Sequence, residues 1–250
     1  VRVIGRLDVK NEFVIKGIHL EGLRKVGDPN VLAKKYYEQG IDEIFFIDSV
    51  ASLYDRNNLF HIIREASKEV FIPITIGGGI RSLHDVEMAL ESGADKVMVN
   101  TGAVKNPTII GEIAARFGSQ CIVASIEAKK VGDDWECYVD NGREKTGLKV
   151  LEWARRLEGL GAGELILTSI DYEGTKKGFD VNLNSAVNEA LQIPVVFSGG
   201  CGELKHLDPF RNLKAPSGVA IASVLHYNLI GMPEFKKHLK QLGFEVRIES

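Results

Sequence analysis

The chain has 250 residues, 44% of them hydrophobic and 26% charged, which is ordinary globular material and excludes a disordered or fibrous protein. A formal charge of −3 and a pI near 6.1 argue against a nucleic-acid-binding surface, so the expected ligand is small. Cys121, Cys137 and Cys201 form no CxxC or Cys/His cluster, no apolar run reaches transmembrane length and the first residues carry no signal-peptide pattern, so a cytoplasmic enzyme without metal, disulfide or cofactor is expected.

Short β-branched runs alternate with segments of helical period along the whole chain, which predicts repeated βα units. Strands are predicted at 2–8, 43–48, 72–76, 96–100, 121–127, 164–169, 195–198 and 218–222. Helix starts between them carry capping chemistry at Asp28-Pro29, at Ser82-Leu83-His84-Asp85 and at Asn106-Pro107. Eight strand-helix units in this length predict a (β/α)8 TIM barrel, one domain over 1–250. Two connections are long: 10–27, with Lys16 and three glycines, and 129–147, with a hairpin expected around Gly132-Asp133-Asp134 and Asn141-Gly142 further on. Both are expected to act as lids.

The chain also reads as two duplicated (β/α)4 halves, about 1–118 and 119–250. Leu7-Asp8-Val9-Lys10 answers Ile126-Glu127-Ala128-Lys129, with the acidic residues 119 positions apart. Ile72-Pro73, leading to Gly77-Gly78-Gly79, answers Ile193-Pro194, leading to Ser198-Gly199-Gly200, 121 positions apart. Phe46-Ile47-Asp48 pairs with Ser169-Ile170-Asp171, and Val99-Asn100-Thr101 with Ala222-Ser223-Val224. A doubly wound open sheet has the same strand-helix alternation but gives no reason for this correspondence.

In a barrel, Asp8 and Glu127 end strands on opposite sides of the mouth, where they face one another or merely cap neighbouring amides in solvent. Facing carboxylates divide acid and base roles when their surroundings split their pKa values. The glycine turns at 77–79 and 199–202 each follow a strand and precede a helix, so their N–H groups suit an anion. With Asn100-Thr101 and Ser223 beside them, two such turns imply a substrate with a phosphate at each end. His226, Asp48, Thr168, Asp171, Trp135 and Tyr138 are weaker candidates, expected to serve local structure.

The chain resembles the HisF family, the cyclase subunit of imidazole glycerol phosphate synthase. The resemblance rests on Leu7-Asp8-Val9-Lys10, Lys16-Gly17, Glu21-Gly22-Leu23-Arg24, Gly27-Asp28-Pro29, 77–81, 93–97, 117–120, 161–164 and 169–175, and so covers nearly the whole chain. It implies a glutamine amidotransferase in which a HisH-like glutaminase, docked on the amino-terminal face near Asp95, releases ammonia into the barrel. The catalytic carboxylates implied are Asp8 and Glu127. Substrate and phosphate contacts fall on Lys16, Gly78, Gly79, Asn100, Thr101, Glu173, Gly174, Gly199, Gly200 and Ser223. The ammonia gate falls on Arg2, Glu43, Lys96 and Glu164, two charges of each sign that compensate one another.

The chain departs from the family pattern at three positions: the family carries Asp where Glu127 and Glu173 stand, and Cys where Arg6 stands. Strand alternation turns Arg6 inward with Asp8. An inward guanidinium needs a partner, and Glu127 is expected to be it, with its pKa lowered in consequence. That expectation leaves open a related protein that delivers ammonia to a nucleotide-linked or surface-glycan sugar. It also leaves open a scaffold that only activates the glutaminase.

Overall fold

The computed structural model describes residues 1–51 and 59–247. Its strands, numbered in chain order, are β1 (Arg2–Lys10), β2 (Phe13–Ile18), β3 (Glu21–Gly27), β4 (Glu43–Asp48), β5 (Ile74–Gly77), β6 (Lys96–Val99), β7 (Ile122–Val131), β8 (Asp134–Val139), β9 (Glu144–Lys149), β10 (Glu164–Ser169), β11 (Val195–Ser198) and β12 (Gly218–Ile221). The parallel pairs β1·β4, β4·β5, β5·β6, β6·β7, β7·β10, β10·β11, β11·β12 and β12·β1 close on themselves. Eight parallel strands in a closed ring with flanking helices make a (β/α)8 barrel, as the alternation of elements predicted.

The predicted strand ends move by one or two residues, except at β7, which runs four residues further, to Val131. The third starts at Ile74 rather than at 72, after Pro73, which has no N–H to give to a ladder. Cys121 lies in a 3-10 turn, so β7 begins at Ile122. Asp28 accepts from the amides of Asn30 and Val31, and Ser82 forms a capping box with Asp85. Asn106 is a correction: Pro107 is the N-cap of helix Thr108–Phe117, with no side-chain cap. The Asn106 carboxamide oxygen instead accepts from the Thr108 hydroxyl at 2.9 Å.

The long connections are not loops. β2 and β3 form an antiparallel hairpin that continues from β1, with Val9 opposite Val14 and Lys10 opposite Phe13. β7 runs past the barrel rim to Val131, turns at Gly132 and returns as β8, then β9. The expected hairpin at Gly132 is therefore present, and the first connection gains a hairpin that was read as a lid loop.

Side-chain alternation separates two cores. Outward residues such as Val3, Leu7, Phe46 and Ile76 pack beneath the helices. Inward residues Ile4, Phe45, Met98, Val123, Ile166, Val196 and Ala220 fill the barrel interior. This apolar layer lies between charged inward residues at the strand starts and polar ones at the strand ends, which positions two sites on one axis.

Candidate active site

At the amino-terminal end, Arg2, Glu43, Lys96 and Glu164 form a closed ring. Arg2 donates to Glu43 at 2.5 Å and to Glu164, while Lys96 donates to Glu43 at 2.9 Å and to Glu164 at 3.1 Å. Thr75 adds a hydroxyl donor to Glu43 at 3.1 Å. Each carboxylate meets both cations, so charge is balanced where Glu43 is only 1% exposed. Asp95, expected to dock a partner, accepts from the Ile74 amide at 2.8 Å.

At the carboxyl end, Asp8 and Glu127 are 6% and 8% exposed. The expected pairing of Arg6 with Glu127 is not what the structure shows. Arg6 Nε donates to Asp8 Oδ1 at 2.9 Å, and its Nη1 donates to Thr168 Oγ1 at 2.8 Å and Ser198 Oγ at 3.2 Å. Strand pleat explains the correction, because residues two apart on one strand share a face and are near neighbours.

Glu127 instead accepts the Gly142 amide at 2.8 Å, from the turn between β8 and β9. Burial raises its pKa to about 7, the Arg6 charge and the Gly142 bond pull it down, and Asp8 and Asp140 push it up. The expected lowering is thus reversed, because desolvation outweighs a guanidinium committed to another carboxylate. A carboxyl group that titrates near neutrality is fit to be a general acid.

Gly78, Gly79, Asn100 and Thr101 line one cavity of about 250 Å³ together with Arg6 and Glu127. Gly78 and Gly79 have φ of +88° and +75°, and a Cβ on Gly78 would lie 2.4 Å from the Asp48 carbonyl oxygen. Gly78→Ala is therefore expected to cost about 1–3 kcal/mol of stability through strain at that turn. A denaturation midpoint unchanged from the parent would contradict the account. Lys105 and Arg81 add cations to this cavity, and the Asp140–Asn141 turn reaches it through the Thr101–Asp140 hydrogen bonds. Sequence reading assigned none of these four residues to the site, although Arg81 closes the glycine-turn motif and Asn141 lies on the connection expected to act as a lid.

Glu173, Gly174, Gly199, Gly200 and Ser223 line a second cavity with Lys16 and Arg6. It holds about 10 Å³, room for roughly one water. The space is filled by Lys16, 5% exposed, in a buried ion pair with Glu173. Burial lowers the Lys16 pKa to about 8, with Asp8 opposing that shift and Arg6 adding to it. The hairpin carrying Lys16 lies closed: the His19 amide donates to the Glu173 carbonyl at 2.8 Å, and the His19 ring contacts the Ile170 carbonyl at 2.9 Å.

The weaker candidates serve local structure. Asp48 accepts from the Val50 amide, Asp171 from the Lys130 amide, and Trp135 Nε1 donates to Asp180. Tyr138 sits opposite Glu127 on β8, with Lys129 over its ring. His226 is buried against Tyr36, whose hydroxyl lies 2.7 Å from Nδ1, and burial lowers its pKa to about 4. Thr168, which holds Arg6, and Asp48, which also lines the Gly78 cavity, are the exceptions. Among the described residues no cluster of His, Cys, Asp and Glu could hold a metal, and no helix is long and apolar enough to cross a membrane.

A barrel that gathers two buried carboxylates between glycine turns on its carboxyl face defines a (β/α)8 enzyme. Residues 2–231 match the family model described as histidine biosynthesis protein. The chain is 58% identical over 209 residues to the imidazole glycerol phosphate synthase subunit HisF of Legionella pneumophila, an alignment that covers 83% of this chain and 99% of that protein. The chain belongs to this histidine biosynthesis family, in its HisF branch.

Proposed function

We propose that the chain is the ammonia-using subunit of a glutamine amidotransferase of the imidazole glycerol phosphate synthase type. Ammonia from a HisH-like glutaminase enters at the Arg2, Glu43, Lys96 and Glu164 ring and crosses the apolar interior. It meets, at the mouth, a ribonucleotide-derived substrate with a phosphate at each end, yielding imidazole glycerol phosphate and an aminoimidazole carboxamide ribotide. The observation that carries this reading is the unlike setting of the two mouth carboxylates: Asp8 is ion-paired with Arg6, whereas Glu127 is buried against the Gly142 amide with its pKa raised to about 7.

The difference assigns roles. Ammonia's lone pair forms the new C–N bond as a carbonyl π pair moves to oxygen. Asp8 takes the proton from the new nitrogen, and the Glu127 carboxyl delivers one to the oxygen. One phosphate sits on the Gly78 and Gly79 amides beside Asn100 and Thr101. The other requires the β2–β3 hairpin to lift, so that Lys16 exchanges Glu173 for phosphate beside Gly174, Gly199, Gly200 and Ser223.

A second reading, ammonia transfer to a carboxyl or acyl group of a nucleotide-linked or glycan sugar, is favoured by one observation. Arg6 places a cation on the floor between the two cavities. Turnover of the bis-phosphorylated cyclase substrate by purified protein with ammonium salt separates the two. The first reading expects saturable turnover, whereas a rate equal to uncatalysed decay rejects it and leaves the second.

A further inference from the structure

Among the described residues, Arg6 alone lines both the Gly78 cavity and the Gly199 cavity. Its side chain starts on β1 and reaches β10 and β11, so the guanidinium lies directly against Asp8 and beside Thr168, the register partner of Glu127. Nε donates to Asp8, and Nη1 donates to Thr168 and Ser198. Three partners from three strands fix the plane of the group. Nη2 has no hydrogen-bond partner among the described residues, and it is not among the atoms sealed from solvent.

A buried cation is held this way at a cost, since taking it out of water is offset here by one carboxylate and two hydroxyls. A residue serving only to neutralise Asp8 has no need to straddle two cavities or to leave Nη2 without a partner. We propose that Arg6 is a specificity-determining residue. Its Nη2 donates to the carbonyl oxygen of a ketone, aldehyde or acyl carbon at the centre of the bound substrate, a place where a carboxylate oxygen mimics the oxyanion, while the phosphate sits on the Gly78 turn. This deepens the proposed function and rests on its phosphate cavity. When ammonia adds to that carbon, the electron pair leaving the C=O bond collects on the oxygen facing Nη2, and the Glu127 carboxyl supplies its proton. A preorganised donor aimed at developing charge, away from bulk water, stabilises the transition state more than the ground state.

The test is calorimetric binding of three probes to the intact chain: inorganic phosphate, glycerol 3-phosphate and 3-phosphoglycerate, the last two differing by a carboxylate. The parent protein is expected to prefer 3-phosphoglycerate over glycerol 3-phosphate by about tenfold to a hundredfold, the worth of a charge-assisted hydrogen bond. Arg6→Gln is expected to abolish that preference and keep inorganic phosphate binding. Equal affinity of the parent for the two organic probes overturns the proposal even if Arg6→Gln fails to fold. A preference that survives in Arg6→Gln overturns it as well. Phosphate binding without the preference rejects Arg6 alone, whereas no binding of any probe rejects the phosphate cavity itself and the inference with it.

Discussion

Replacing Glu127 by Gln is expected to lower ammonia-driven turnover by about 10²–10⁴-fold, the contribution of a positioned proton donor, and to stabilise the protein above pH 7. The two effects share one cause. Glu127 is held 8% exposed with a single donor among the described residues, the Gly142 amide, so burial disfavours its charged form and raises its pKa from 4.5 to about 7. Folding therefore favours the protonated carboxyl. Its contribution is fully present below about pH 4.5 and is lost as pH rises through about 7. A shift of that size corresponds to a penalty on the order of 3 kcal/mol at pH 8. Gln keeps an oxygen for the Gly142 amide and carries no charge. The difference in melting temperature between Glu127→Gln and the parent should accordingly be larger at pH 8 than at pH 5. An equal difference at both pH values would show that the site is solvated and the acid role unsupported.

Glu43→Ala is expected to destabilise the fold by about 2–4 kcal/mol, somewhat below the range for a fully buried pair because Arg2 and Lys96 keep partial access to water. Glu43 accepts from Arg2, Lys96 and Thr75 on three different strands. Its loss leaves two cations against the single carboxylate of Glu164, at a ring that rests directly on the apolar interior. Adding Lys96→Met should recover part of the loss by restoring charge balance. Urea unfolding of the single and double variants measures both. A loss under about 0.5 kcal/mol would place the ring among exposed ion pairs of little worth.

The barrel strands were legible in the sequence because buried parallel strands are continuous β-branched runs, and Glu43, Lys96 and Glu164 stand at their starts as read. The hairpin of β2 and β3 was not legible. In β3 every residue is exposed or half-buried, so period-2 alternation of apolar residues is lost. Alternation placed Arg6 inward correctly, but alternation gives a face and not a reach. Among the neighbours on that face, Asp8, Thr168 and Ser198 take the Nε and Nη1 donors, and Glu127 takes neither. The pKa of Glu127 was read with the wrong sign for the same reason. Its one hydrogen-bond donor among the described residues comes from Gly142, in the turn between β8 and β9, with no local signal tying it to residue 127. Likewise the two glycine turns look alike in sequence. Yet one opens on a cavity of about 250 Å³ and the other on about 10 Å³, because Lys16 and Glu173 meet in the second.

The pH dependence of ammonia-driven turnover, measured at saturating substrate and a fixed concentration of free NH3, tests the division of roles between Asp8 and Glu127 most directly. With Glu127 as the acid, the rate should hold below about pH 7 and fall tenfold per unit above it. That descending limb should vanish in Glu127→Gln. A parent profile flat from about pH 6 to 9, or a limb that persists in Glu127→Gln, would contradict the assignment.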